Sequence, residues 1–253
     1  MRATLFKEGL EFKLEISGER WIQGQNVEGE LSIKNLGNNP ARLKNLSIRL
    51  AWGDFKKIKA RDANAFQILA TQSLASSIEL KSNDEKSWKW FFTLPHDCQI
   101  TEKSGSLYIL YGDEENAIYS GDLQLTIGPK ELYLEIIKLM ENFMRFKLKD
   151  LSSKKGLVQA KFQPPQSKEF AALDGLQIGL GLENQELNLC YEFKVKKINL
   201  SQTNTDLKMS KDISKLQQKW DPRRYLIGQS IDQEFALKQL QAALESVKTK
   251  SML

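Results

Sequence analysis

The stretch QGQNVEGELSIKN, residues 23–35, decides the interpretation of the first part of the chain. It places glycines at Gly24 and Gly29, and from Val27 onward its apolar residues, including Leu31 and Ile33, occupy alternate positions. A turn that needs an unrestricted backbone, followed by a half-buried strand, produces this pattern. The stretch therefore predicts a sharp turn that leads into a strand of an antiparallel sheet.

The sequence on both sides of this stretch repeats the same alternation. Residues 10–16 place apolar and charged residues on opposite faces, and LGNNPA at 36–41 is rich in turn-forming residues. Further strands are expected near 43–52, 55–61, 76–80, 87–94, 106–111 and 122–127. Short strands separated by turns favour an antiparallel sandwich over a βαβ arrangement.

The pattern changes after Gly128 and Pro129. Residues 130–144 carry apolar side chains at helical spacing, and a proline is well suited to the first turn of a helix. Four further strand patterns follow, in RFKLKDL, GLVQAKFQ, LDGLQIGLGL and LNLCYEFKVKKI. The second part is therefore also expected to be largely β.

Beyond Ser201 the spacing favours helices. One helix is predicted through Met209, Ile213, Leu216 and Trp220, ended by Asp221 and Pro222. A second is predicted from Ser230, where Gln233 completes a capping box, and its apolar stripe consists of Leu237, Leu240, Leu244 and Val247. This stripe is expected either to pack on its own chain or to mediate self-association as a homo-oligomer.

These patterns predict three regions: an N-terminal β-sandwich over 1–128, a smaller β unit opened by a helix over 129–203, and amphipathic C-terminal helices over 204–253. The 253 residues suffice for a packed core, and 27% charged residues with 41% hydrophobic ones are typical of a globular protein.

Charge, cysteines and hydropathy restrict the function classes. A net charge of +5 over 253 residues is too small for a dedicated nucleic-acid binder. Cys98 and Cys190 lie far apart without metal-ligand spacing, so free thiols are expected. No secretory signal and no membrane-spanning run is visible, so we expect a cytoplasmic protein.

The sequence provides no recognisable catalytic site. His96, in LPHDC, is the single histidine, and a Ser/His/Asp or Cys/His arrangement would have to use it. Metal binding needs three or four ligands, whereas His96 and Cys98 form only a pair. We therefore expect a non-enzymatic protein with no catalytic residues, no metal and no cofactor.

The most localised charge feature is KKIKAR, which contains Lys56, Lys57, Lys59 and Arg61. In the strand predicted here, Lys57, Lys59 and Arg61 would share one face. This face is a candidate site for an acidic or phosphorylated protein segment, or for a weak contact with an anionic membrane surface. The alternative is an edge strand that its lysines protect from pairing with other chains.

Three segments carry recognisable motifs: WIQGQNVEGELSI at 21–33, WFFTLP at 90–95 and SGSLYILY at 104–111. Together they resemble the arrestin superfold, in which two antiparallel sandwiches occur in tandem. The first is similar to its aromatic-x-x-G-x-x-V-x-G-x-hydrophobic signature, the second to its strand that ends in Leu-Pro, and the third to the strand that follows. The resemblance covers roughly the first 128 residues. It implies tandem arrestin-like β-sandwiches joined by a helix, with a helical C-terminal extension.

The second half contains a helix that runs into FMRFKLKDL, then GLVQAKFQPP, then LDGLQIGLGLENQELNLCYEF. In this order the features resemble a narrower group, the bacterial sporulation-control proteins of the Spo-zero-M type. The chain departs from the common pattern at Gln23, where many relatives have proline, and in its lysine-rich tail. The resemblance implies a regulatory adaptor that acts through protein partners, and it supplies no catalytic residues.

Overall fold

The computed structural model describes residues 1–113, 121–199, 208–228 and 230–248. Contacts divide the chain into two compact units, Met1–Gly128 and Pro129–Leu253. The chain is mostly β, with antiparallel sheets in both units, as the alternating patterns predicted. No helix in the described ranges is long and apolar enough to cross a membrane.

The first unit is a sandwich of two four-stranded antiparallel sheets, with strand orders β1-β2-β4-β7 and β6-β5-β8-β9. A short parallel pair, β3 with β10, completes it. Its elements are β1 Arg2–Lys7, β2 Leu10–Ile16, β3 Trp21–Ile22, β4 Asn26–Asn35, β5 Ala41–Asp54, α1 Phe55–Lys59, β6 Phe66–Leu80, β7 Glu85–Thr93, β8 Gly105–Asp113, β9 Gly121–Gln124 and β10 Ile127–Gly128.

Alternate side chains of the two sheets form one core. Leu14, Ile33 and Trp90 of the first sheet lie in the same buried cluster as Leu50 and Ile109 of the second. The charged residues between them stay on the outer faces, as expected for sheets that pack face to face. The opening stretch behaves as predicted at Gly24, whose φ of +89° is left-handed, and β4 begins two residues later at Asn26.

The strand predicted at residues 55–61 is wrong. Phe55–Lys59 is a short helix, and the Asp54 carboxylate accepts hydrogen bonds from the backbone N–H groups of Lys56 and Lys57 at 2.9 and 3.1 Å. An aspartate in this position is a strong helix start. The helix lies in the connection between β5 and β6.

The second unit is built on a five-stranded antiparallel sheet with the order β11-β12-β13-β14-β15. Leu176, Ile178, Tyr191 and Phe193 are buried on one face of its central strands. Its elements are α2 Glu131–Asn142, β11 Lys147–Lys154, β12 Leu157–Gln163, a 3₁₀ turn Lys168–Phe170, β13 Leu173–Glu183, β14 Glu186–Asn199, β15 Lys208–Trp220, α3 Pro222–Tyr225, β16 Leu226–Ile227, β17 Ser230–Ile231 and α4 Gln233–Lys248.

The helix predicted through Met209, Ile213, Leu216 and Trp220 is wrong, because Lys208–Trp220 is the edge strand β15. It pairs with β14 along its length, from Asn199 opposite Lys208 to Leu187 opposite Trp220. The region 204–253 is therefore only partly helical, and residues 204–207 and 249–253 lie outside the described ranges.

The last helix, α4, starts later than the capping box predicted. It begins at Gln233, and the Asp232 carboxylate accepts a hydrogen bond from the Phe235 N–H at 3.0 Å, whereas Ser230 lies in β17. The helix packs on its own unit, where the Phe235 ring meets Trp220 of β15 edge-on at 5.5 Å between centroids.

Candidate functional site

The first sheet carries a cleft of about 710 Å³ at one end. All four strands β1, β2, β4 and β7 contribute to it, so the cleft crosses the sheet rather than following one strand. Its volume lies in the range of ligand-binding clefts. The lining residues are Met1, Arg2, Glu15, Ile16, Ser17, Glu28, Gly29, Glu30, Lys89 and Trp90.

A row of four charged residues crosses the sheet through this cleft. Arg2 pairs in register with Glu15, Glu15 with Glu30, and Glu30 with Lys89. Residues opposite each other on neighbouring strands have their side chains on the same face. The cleft therefore presents positive, negative, negative and positive charges in that order.

The charges in this row differ in how they are neutralised. Glu15 forms ion pairs with Arg2 at 2.7 Å and Lys13 at 2.8 Å, and its hydrogen bond with Lys13 and the charge of Arg2 lower its pKa. Within the described part of the chain, neither Glu30 nor Lys89 forms an ion pair. Their charges remain available to a ligand that brings complementary groups.

Trp90 lines the cleft from the core side of the sheet, on the opposite face of β7 from Lys89. Its side chain is 3% exposed, and among the described residues its indole Nε1 has no hydrogen-bond partner. Its register partner is Gly29, where an added Cβ would lie 2.8 Å from Trp90 Cζ2 and would also collide with the carbonyl oxygen of Glu15. Gly29 is therefore required by close approach, because only a residue without a side chain leaves room for the indole.

The predicted cationic residues lie on a surface separate from this cleft. Lys56, Lys57 and Lys59 project from α1, and Arg61 follows with a φ of +54°. All four are exposed, but Lys56, Lys57 and Lys59 lie on a short helix instead of the strand face that was predicted.

The predicted leucine stripe belongs largely to the core of its own unit. Leu240 and Leu244 are 0% and 4% exposed, and Leu237 is half-buried. Val247 lies in α4, and its side chain is outside the described part. Because Leu240 and Leu244 are covered by their own chain, they are not available for self-association in this conformation.

His96 and the two cysteines take part in packing and hydrogen bonding within the fold. The His96 ring lies against Gly24, where an added Cβ would collide with ring atoms Nδ1 and Cε1. Neither Cys98 nor Cys190 forms a disulfide, and the Cys98 carbonyl accepts a hydrogen bond from Gln23 Nε2 at 2.6 Å. In the part of the chain that the structure describes, no group of three His, Cys, Asp or Glu residues is arranged to hold a metal.

The sequence interpretation missed the cleft, although the alternation that predicted β2, β4 and β7 already places their charged residues on the outer face. What it lacked was the register that aligns Glu15, Glu30 and Lys89 in one row. Strand register depends on pairing between distant segments, so periodicity within one strand does not supply it.

Comparison with solved structures identifies the fold. The chain is similar to Spo0M, a sporulation control protein from Bacillus subtilis, with a TM-score of 0.66 and 14% sequence identity over 95% of this chain and 99% of that protein. At this identity the similarity shows the fold alone, and with the antiparallel sheets it confirms the mostly β class that the resemblance implied. No protein-family profile matches the sequence, and no curated protein matches it.

Two further similarities are too weak and too partial to support a conclusion about this chain. A DNA glycosylase, AlkC from Pseudomonas fluorescens, matches with a TM-score of 0.28 and 11% identity over 45% of this chain and 29% of that protein. A β-glucosidase from Listeria innocua matches with a TM-score of 0.28 and 14% identity over 47% of this chain and 16% of that enzyme.

Proposed function

We propose that this chain is a non-enzymatic regulatory protein of the bacterial cytoplasm that acts by binding a protein partner. The observation that carries the proposal is its similarity in fold, over 95% of its length, to a protein described as controlling sporulation. The process that this chain regulates is not implied by the similarity, because one fold serves many functions.

We place the partner's docking site in the cleft at the end of the first sheet. The cleft offers the Glu30 carboxylate and the Lys89 ammonium, which share the outer face of the sheet. A polypeptide segment carries acceptors in its carbonyl groups and can carry charges of both signs in its side chains. Such a segment satisfies both groups at once, which a purely apolar or a purely anionic ligand does not.

Reversing one charged pair tests this assignment without changing the net charge. In the variant Glu30→Lys with Lys89→Glu, the two charges of the cleft are exchanged between β4 and β7. The matched control is Lys34→Glu with Glu85→Lys, an exchange between register partners on the same two strands, outside the cleft. Both exchanges involve partly or fully exposed side chains, so both variants are expected to fold.

Each tagged protein is used to purify partners from the source cells, and bound proteins are quantified by mass spectrometry. We expect the wild type and the control to retain a common set of proteins. The recovered amount of these proteins should fall about tenfold or more with the cleft variant, because like charges then face the partner. Equal recovery by all three proteins excludes the cleft as the docking site. Recovery of no protein above background by the wild type contradicts the proposed function itself.

A further inference from the structure

The connection between β5 and β6 forms a compact cationic surface, here called the basic hairpin, residues 54–69. Lys56, Lys57, Lys59 and Arg61 are all exposed, and in the part of the chain that the structure describes none of them forms an ion pair. By contrast, Lys13, Lys161 and Lys215 are each paired with a carboxylate. The basic hairpin therefore retains its charge for a ligand outside the chain.

Two carboxylates in the basic hairpin are already engaged with the backbone. Asp54 accepts from the N–H groups of Lys56 and Lys57, and Asp62 accepts from the Asn64 N–H at 2.8 Å. Four cations against these two carboxylates leave a local excess of +2. The attraction to an anionic surface is accordingly moderate and needs a second contribution.

Packing of α1 on the outer face of the second sheet fixes the orientation of these cations. Phe55 and Ile58 pack on a small cluster around Tyr108, and the Phe66 ring meets Tyr108 edge-on at 5.2 Å. A Cβ on Gly53 would lie 2.8 Å from Ile58 Cδ1, so α1 rests directly on β5. The apolar side of α1 is thereby partly covered, and its lysines remain in solvent.

Two exposed aliphatic side chains supply the second contribution. Ile68 and Leu69, at the start of β6, are 41% and 45% exposed. The register shifts between Leu50 and Ala51 because Leu69 has no partner between Ile68 and Ala70. Leu69 is thus the extra residue of a β-bulge, and such a bulge changes the direction of a side chain. Ile68 is paired with Ala51 and lies on the face of the sheet that α1 covers in part.

We propose that the basic hairpin binds the anionic lipid surface of a membrane. Lysine and arginine side chains would contact headgroup phosphates, and Ile68 with Leu69 would enter the boundary between headgroups and acyl chains. The exposed aliphatic pair favours lipid over an acidic polypeptide or a nucleic acid, because neither offers an apolar layer beneath its charges. A combination of cations and apolar side chains is the usual requirement for reversible membrane attachment.

The charge contribution is tested with the full chain and sedimented vesicles of phosphatidylcholine, with or without phosphatidylserine. We expect binding only to the vesicles that contain phosphatidylserine. Lys56→Gln with Lys57→Gln and Lys59→Gln should lower the partition coefficient about a hundredfold, at roughly fivefold for each lysine. The control, Lys44→Gln with Lys81→Gln and Lys86→Gln, removes three exposed charges at the opposite end of the β5–β6 pair and should change it little.

The apolar contribution distinguishes lipid from other anions. Ile68→Ser with Leu69→Ser should lower vesicle binding about tenfold and leave binding to immobilised heparin unchanged, whereas Leu36→Ser, at a residue 48% exposed, should change neither. Retention of vesicle binding by the Ile68 and Leu69 variant overturns the lipid assignment in favour of a general polyanion site. Absence of vesicle binding by the wild type overturns it entirely, without bearing on the cleft or its protein partner.

Discussion

Gly29 and Trp90 are register partners on β4 and β7, and the missing side chain of the glycine is the space that the indole occupies. The pair joins the sequence signature to the cleft, because both residues line it. The second glycine of the opening stretch is therefore needed for close approach, while the first, Gly24, is needed for its left-handed φ of +89°.

Replacing Gly29 by alanine should destabilise the first unit by about 2 kcal/mol, the middle of the range for overpacking a tight site. The matched control is Gly175→Ala in β13, where the nearest atom to an added Cβ is 3.8 Å away. Its free energy of unfolding should change by less than about 0.5 kcal/mol. Urea denaturation measures both, and equal effects at the two positions would disprove the close approach at Gly29.

Gln218 should contribute more to stability than its neighbour Gln217. Its Oε1 accepts from the Tyr191 hydroxyl at 3.0 Å and from Trp220 Nε1 at 3.2 Å. Replacing it by alanine leaves these two groups without an acceptor, which costs about 2 kcal/mol. Gln217 lies on the other face of β15 and is exposed, so Gln217→Ala should be nearly neutral in thermal denaturation. Similar losses for both variants would contradict the strand assignment of 208–220.

The start of α4 can be located by two substitutions. Asp232→Ala removes the hydrogen bond to the Phe235 N–H and should cost about 1 kcal/mol, the usual value for a helix cap. Ser230→Ala should cost less than about 0.5 kcal/mol, because Ser230 lies in β17 and makes no capping contact in the described structure. A larger loss for Ser230 than for Asp232, measured by chemical denaturation, would favour the capping box that the sequence predicted.

Asp122 in β9 should make stability depend on pH in the acid range. Partial removal from solvent raises its pKa above the ordinary value of 3.8, although the residue retains an exposed surface. The folded state then holds the proton more tightly than the unfolded state, so this group's contribution to the free energy of unfolding falls as the pH rises from about 3.8 through the folded pKa.

Asp122→Asn should therefore be more stable than the wild type at neutral pH, and the difference should vanish below pH 3.8. The comparison uses chemical denaturation across this pH range, with Asp97→Asn as a control at an exposed carboxylate. A variant that is less stable than the wild type at neutral pH would refute the assigned cause.

Much of the first unit could be predicted from its alternation, since β2, β4 and β7 all have one face in the core and the other directed to water. The helix at residues 55–59 could not be predicted in this way, because Ile58 and Ala60 alternate with cations as they would in a strand. The decisive signal was Asp54, a helix-capping residue immediately before the segment, together with the contact of Ile58 with the sheet.

The failure at 208–220 has a different cause. The inward positions of β15 are Ser214, Leu216, Gln218 and Trp220, so two of the four are polar, and the two apolar ones are spaced as they would be in a helix. Gln218 is tolerated there because its amide is hydrogen-bonded to Tyr191, Trp220 and Gln239. Pairing with β14 determines the conformation, and a period within the segment could not reveal it.

Photo-crosslinking in living source cells tests the central claim, that the cleft binds a protein partner. A photoreactive amino acid replaces Lys89 in one variant and Glu85 in another, both exposed on the same face of β7, with only Lys89 lining the cleft. We predict a discrete crosslinked species of higher mass from position 89 and none from position 85. No adduct at 89, or identical adducts at both positions, would contradict the claim.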